Sequence, residues 1–372
     1  MEVGLRAIPH LADQSWERTV FINKRYIRPV ISTYNPLKNK KIRYVDCNSA
    51  GYRRLAKGKG FSYKDQENKT IRDAKIIARI KALVIPPNWE QVWICPIATG
   101  HIQATGIDAK GRKQYIYHLS WVLSQDKDKF AFLADFGEKL PELRKKINRD
   151  LNRKSFDLKK VTALALRVID LTSMRPGNQA YLKQNGSYGL TTLEKKHLKI
   201  EKEAIQFNYI GKKGVPQEKL LKNKKIAKEL KALKSLPGSP LFKYYDKNQE
   251  LHGIDSAHLN LYLQSFYKKH LSCKTFRTWN ACFNSLAFLL DQPMADSPKE
   301  RQKTVRELVK TVAESLGNTA AVAKKNYILP AILTQYEAGH LDSWLKANAQ
   351  KTKTQRKRII QQKLLKLIKE YR

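Results

Sequence analysis

The chain is 372 residues long and carries 72 lysines and arginines against 33 aspartates and glutamates, a formal net charge of +39. At roughly 100–200 residues per domain this length predicts two or three domains, and 42% hydrophobic residues can bury real cores, which excludes a disordered basic tail. So large an excess repels itself in a compact state, so a polyanion is the expected partner: nucleic acid first, an anionic membrane surface second.

Residues 1–10 hold no apolar signal core, and the longest apolar stretch, around residues 286–290, is too short to span a bilayer; a soluble intracellular protein is expected. Cys47, Cys95, Cys273 and Cys282 form no Cys-x-x-Cys pair, which argues against a zinc ribbon or disulfide framework and reads as four small buried hydrophobes. Two-metal nucleases need clustered carboxylates, and the one tight pair, Asp126-Lys127-Asp128, sits in a polar stretch that reads as a solvated linker. No phosphate-binding Gly-x-x-x-x-Gly-Lys-Ser/Thr loop or Gly-x-Gly-x-x-Gly fingerprint occurs, so nothing supports ATP or dinucleotide use.

In chain order, residues up to about 121 are predicted to be strand-rich. The β-prone runs are Lys41-Ile42-Arg43-Tyr44-Val45, Gln91-Val92-Trp93-Ile94-Cys95 and Gln114-Tyr115-Ile116-Tyr117-His118. One helix is predicted among them, from a Thr70 cap to about Ile85, where Pro86-Pro87 stops it. Alternation puts Tyr115 and Tyr117 on one face, just after Arg112 and Lys113, a pattern suited to a phosphate backbone.

After the polar residues 124–129 the period becomes helical. Leu158, Val161, Ala165 and Val168 predict a helix that stops before Arg175-Pro176. Residues 198–221 interrupt the helices: Ile205, Phe207 and Tyr209 alternate up to Gly211-Lys212-Lys213-Gly214, which predicts a hairpin with two lysines at its tip. Helices follow over about 276–290 and 298–316, the second stopped by Gly317. Thr319 then caps a short helix carrying Tyr327 and closed by Pro330. Beyond Leu345, ten basic residues accompany one acid, Glu370; Ile360, Leu364, Leu367 and Ile368 fall at helical spacing, so the tail reads as an amphipathic basic helix, a solvated appendage or a DNA contact.

Taken singly, the candidate site residues each have a plain structural reading. Arg175 could cap helix carbonyls, Lys212 could decorate a turn, Arg277 could be one cation among 72, and Tyr327 could be core. Their surroundings, however, resemble a known family. Gly58-Lys59-Gly60-Phe61-Ser62-Tyr63, Ile85-Pro86-Pro87-Asn88-Trp89 and Gly111-Arg112-Lys113-Gln114-Tyr115-Ile116-Tyr117-His118 resemble the amino-terminal domain of bacterial and poxvirus-like type IB DNA topoisomerases. Arg167-Val168-Ile169-Asp170 through Arg175-Pro176-Gly177-Asn178, then Asn185-Gly186-Ser187-Tyr188-Gly189-Leu190, resembles the segment of the first catalytic arginine. Residues 207–212 resemble the catalytic-lysine hairpin, Thr275-Phe276-Arg277-Thr278-Trp279 the second arginine, and residues 316–328 the nucleophile segment.

The resemblance implies an α+β protein: a small β-rich amino-terminal domain (1–121), a mainly α-helical catalytic domain (122–335) and a basic tail (336–372), closing as a clamp on duplex DNA. It implies Tyr327 as nucleophile, Arg175 and Arg277 on the non-bridging phosphate oxygens, and Lys212 as general acid. Arg112, Lys113, Gln114, Tyr115, Tyr117 and Lys213 would bind DNA, Gln114 as the reader of a base edge. It further implies no ATP and no obligatory metal, although Mg²⁺ could stimulate, and a monomer acting on the nucleoid in a bacterial cytoplasm. Asn318 stands where viral and eukaryotic relatives have a histidine; its amide can make the same contact without the charge. His101, His118 and His197 read as structural.

Two alternatives remain. A tyrosine recombinase shares the Arg, Lys, Arg and Tyr chemistry, but typically carries His-x-x-Arg where this chain has Lys274 three residues before Arg277. A non-catalytic basic protein would use the same residues only to grip phosphate.

Overall fold

The computed structural model describes residues 42–58, 60–109, 111–268 and 271–371. The chain divides into two compact units with the boundary at 128/129.

The first unit is built on a five-stranded antiparallel sheet, with strands β1 (Tyr52–Lys57), β2 (Gly60–Lys64), β3 (Glu90–Ile94), β4 (Ile102–Ile107) and β5 (Lys113–Tyr117) in the order β2-β1-β3-β4-β5. Helix α1 (Ala74–Ala82) packs Ile80 and Ile76 against Val92, Ile94, Ala104 and Trp89. Asp73 caps α1, three residues later than the Thr70 expected, because its carboxylate accepts from both Lys75 N and Ile76 N. The first predicted strand is reduced to a single bridge, Arg43 with Gly100.

Helix α2 (Leu119–Leu151) then runs unbroken through residues 124–129. The solvated linker expected there is therefore corrected to helix: Ser, Gln, Asp and Lys are compatible with a helix, and residues 124–129 include neither glycine nor proline. The side chains of Asp126 and Asp128 lie outside the described residues.

In the second unit, α3 (Leu158–Thr172) and α7 (Lys274–Leu290) run through the core, each burying most of its length. Between them in sequence come α4 (Gln179–Asn185), the antiparallel sheet β6 (Leu198–Glu201), β7 (Ala204–Ile210) and β8 (Pro216–Lys222), α5 (Lys224–Ser235), the short hairpin β9 (Lys243–Tyr245) and β10 (Leu251–Gly253), and α6 (Ser256–Tyr267). After α7 follow α8 (Pro298–Leu316), α9 (Ala320–Asn326), α10 (Pro330–Glu337), α11 (Asp342–Asn348) and α12 (Lys353–Glu370). The carboxylate of Asp170 on α3 is inside, held by Arg144 at 2.8 Å and Arg167 at 2.5 Å.

The tail needs correction as well. Helix α12 is amphipathic as expected, but Ile360, Leu364, Leu367 and Ile368 are buried in the core of the second unit, packed against α7 and α10. Lys369 pairs with Glu138 at 2.7 Å, and Arg356 pairs with Asp291. The apolar stripe decides this outcome, because exposing four such side chains would forfeit roughly 1.5–3 kcal/mol each. Of the cysteines, Cys95, Cys273 and Cys282 are buried and Cys47 is partly exposed; among the described residues no disulfide forms. No helix among the described residues is long and apolar enough to cross a membrane.

Candidate active site

Helix α3 ends at Ser173, whose φ of 57° turns the chain out of the helix and into Arg175-Pro176-Gly177-Asn178. This loop is strapped by the segment after α4: Leu190 N donates to Arg175 O at 2.8 Å and Thr191 N to Pro176 O at 2.6 Å. The strap needs glycine at 189, where a Cβ would lie 2.5 Å from Gly177 Cα. Arg175 is thus half-buried on a loop with little freedom.

Arg277, in the first turn of α7, is 1% exposed. Its guanidinium bridges two helix ends: one Nη donates to Ser173 O, and the other to Leu316 O at 3.0 Å. Three residues on, Asn280 Nδ2 donates to Asp170 O at 2.9 Å and Ser173 Oγ at 3.0 Å. Cys282 then bonds Tyr327 O through its thiol at 3.2 Å and accepts from Leu329 N at 3.3 Å. One face of α7 therefore holds the end of α3, the end of α8 and the backbone of the tyrosine.

Tyr327 is 3% exposed, and its ring centroid lies 5.2 Å from the Arg277 guanidinium carbon. It does not sit inside a helix, as expected, but is the residue just past α9, with φ −127°. Pro330 correspondingly opens α10 rather than closing α9, a position where its missing N–H costs nothing.

Asn318 follows the C-terminal turn of α8, where Gly317 takes φ 61°. Asn318 Oδ1 accepts from Arg175 Nη2 at 2.5 Å across 143 residues of sequence. With the oxygen so engaged, Nδ2 points away, buried and without a hydrogen-bond partner among the described residues. A buried donor without an acceptor costs roughly 1–3 kcal/mol, so this amide is left able to donate to an incoming acceptor.

Lys212 and Lys213 lie at the tip between β7 and β8, as predicted. Gly211 N donates to Val215 O at 2.8 Å, and Lys213 takes φ 66°. Lys212 is half-buried and Lys213 exposed. The hairpin is fastened to the Arg175 strap, since Tyr188 N donates to Ile210 O at 2.7 Å. Its inward residues were missed from sequence. Burial raises the Tyr209 phenol while Arg175 and Arg277 oppose that rise, and burial beside the same arginines pushes the Lys219 ammonium down to about 8. The available signal was alternation, which puts Lys219 in register with Leu221 on the face that packs inward.

In the first unit, β5 is an edge strand, and alternation divides the expected contacts. Lys113, Tyr115 and Tyr117 share one face, with the two tyrosine rings stacked at 6.0 Å and Lys113 Nζ 5.9 Å from the Tyr115 ring. Gln114 lies on the other face, 8% exposed, its amide donating to Asp108 at 2.9 Å. A base contact by Gln114 would have to exchange that carboxylate for a base edge. Arg112 pairs with the same Asp108 at 2.6 Å. The three histidines bind backbone: Nδ1 of His101, His118 and His197 accepts from Val45 N, Ser120 N and Glu194 N respectively.

The second unit thus gathers a buried tyrosine, two arginines and an oriented amide at one place, with a lysine hairpin fastened beside it. Such a set has the groups that transfer of a phosphodiester to a tyrosine requires: a phenol, fixed cations and a neutral hydrogen-bond donor. Among the described residues, the one trio able to ligate a metal, Asp246, Glu250 and His252, is on the β9–β10 hairpin instead.

The family described as the catalytic core of eukaryotic DNA topoisomerase I matches residues 110–358, and the bacterial DNA topoisomerase IB amino-terminal domain matches residues 60–108. DNA topoisomerase 1B of Acanthamoeba polyphaga mimivirus is 34% identical over 294 residues, covering 77% of this chain and 88% of the viral protein. DNA topoisomerase 1B of Vaccinia virus is 24% identical, covering 71% and 80%. The chain belongs to the type IB DNA topoisomerase family. Its activity is relaxation of positive and negative supercoils by transient single-strand cleavage through a 3′-phosphotyrosyl link, strand rotation and religation.

Proposed function

We propose that Tyr327 is the nucleophile, Arg175 and Arg277 the transition-state cations, Asn318 a neutral donor to a non-bridging oxygen, and Lys212 the general acid. The Tyr327 oxygen attacks phosphorus as its phenolic proton passes to water, the bond from phosphorus to the 5′-oxygen breaks, and the departing 5′-oxygen takes a proton from the Lys212 ammonium. A phenol with an ordinary pKa near 10 needs positive charge nearby to give up its own proton. Arg277, its guanidinium carbon 5.2 Å from the ring centroid, supplies such a charge. Two guanidiniums held beforehand, Arg277 by main-chain carbonyls and Arg175 by the Asn318 amide oxygen, stabilise charge as it develops, without having to reorganise. Religation is the reverse, one phosphodiester exchanged for another, which is why ATP has no role.

The observation that carries this reading is the placement of Arg277, bound to both Ser173 O and Leu316 O and lying beside the Tyr327 ring. These same cations occupy the place a metal would take in phosphoryl transfer, so relaxation is expected to proceed in EDTA. In the first unit, the Lys113, Tyr115 and Tyr117 face is the proposed DNA contact, and the protein is proposed to act as a monomer on the bacterial nucleoid. A suicide DNA substrate tests the assignment directly: the adduct should map to Tyr327 and be absent from Tyr327→Phe while binding persists. An adduct elsewhere overturns it, and no adduct from the parent protein would leave only a basic DNA binder.

A further inference from the structure

The turn that carries Asn318 is held in an unusual way. The last four carbonyls of an α-helix have no partner within the helix and must find one elsewhere. In α8 all four are accounted for. Ala313 O accepts from Asn318 N at 2.9 Å and Glu314 O from Gly317 N at 3.0 Å, the local closure expected of a glycine-terminated helix. The other two are taken by cations from distant elements: Leu316 O by Arg277, and Ser315 O by Lys219 Nζ at 2.6 Å.

Arg277 already belongs to the site, whereas Lys219 has no assigned part. It is on β8, opposite Phe207 of β7, seven residues past the tip lysine. Its neighbour on the same face, Gln217, packs onto Gly317 so closely that a Cβ there would lie 2.0 Å from Oε1. Two consecutive inward residues of β8 therefore grip the turn that ends α8, one at Ser315 and one at Gly317. A cation suits that position, because the C-terminal end of a helix is its negative end.

We infer that Lys219 is a positioning residue of the reaction: by binding Ser315 O it locks the α8 C-terminal turn to the lysine hairpin and so sets the Asn318 carboxamide against Arg175. The arrangement couples two halves of the site. The strand that leads away from Lys212 is the strand that anchors Asn318, so hairpin and amide donor move as one piece. The downward shift of the Lys219 ammonium, caused by burial beside Arg277 and Arg175, agrees with its place at the edge of this cation cluster.

This inference rests on the proposed role of Asn318, so its test is a double-mutant cycle in single-turnover cleavage of a suicide substrate by the full chain. Lys219→Met should slow cleavage about tenfold with DNA affinity unchanged, less than the loss of a directly contacting donor. Lys219→Arg, which keeps a charged donor, should recover most of the rate. In an Asn318→Ala background, adding Lys219→Met should cost less than about twofold, since residues acting as a unit are not additive. Parental cleavage by Lys219→Met overturns the inference, as does full multiplication of the two effects or failure of arginine to rescue. If Lys219→Met does not fold, Lys219→Gln is read by the same criteria. An unchanged rate for Asn318→Ala alone would instead remove Asn318 from the site, a separate failure with its own signature.

Discussion

The two units handle positive charge in opposite ways. In the second, Arg277 is 1% exposed and each Nη meets a main-chain carbonyl, while Lys219 reaches a third and Arg175 holds an amide oxygen. In the first, Arg112 is exposed and held by the Asp108 of its own turn, and Lys113 lies over a tyrosine on an edge strand. The cations proposed to meet a transition state are fixed beforehand, Arg277 by the backbone and Arg175 by a side-chain amide. Cations that only grip a duplex can stay solvated, because counterion release does not require one geometry.

The sharpest way to break this comparison is Tyr327→Phe, which should abolish covalent DNA adducts while leaving binding intact. A residual adduct on gel analysis would place the chemistry elsewhere. Next is Arg277→Lys. If backbone anchoring is what matters, a lysine that keeps the charge but loses the fork should still lose about 10²–10³-fold in cleavage rate; near-parental cleavage would show that charge alone suffices. Asn318→Ala should lose about 10²-fold, since it removes one neutral donor.

On stability, Leu364→Ala in α12 should cost about 2–5 kcal/mol in denaturant unfolding, and an unchanged midpoint would return the tail to the status of an appendage. The smallest expected effect lies in the first unit. Lys113→Ala should weaken binding slightly and reduce the log–log salt slope by about 0.9 if one phosphate contact is lost; an identical slope would take Lys113 off the DNA.

Much of the second unit was legible beforehand because its signals are local. Pro298 and Gly317 bracket α8 at the predicted bounds, and the alternation of Ile205, Phe207 and Tyr209 marks a strand entering a lysine turn. Local signals failed where packing overruled them. Polar composition suggested a linker over 124–129, yet a helix tolerates those residues as readily. Pro330 stops one helix by its sequence signal, but proline at a first helical position is equally a start, and packing selects the start. Lys219 was passed over because a lysine in a strand looks like surface, and the carbonyl that makes it inward-facing comes 96 residues later.

The sequence by itself determined the family, and it set out in order the cations and the tyrosine proposed for the reaction, because each lies in a short motif whose spacing is set by covalent neighbours. Only the tertiary structure decided what holds them. The Arg175 contact with Asn318, the clasp of Arg277 on two helix ends, the grip of β8 on α8 and the burial of α12 all join residues far apart in the chain. Such contacts leave no periodicity behind, since they depend on which helix end packing brings opposite which side chain.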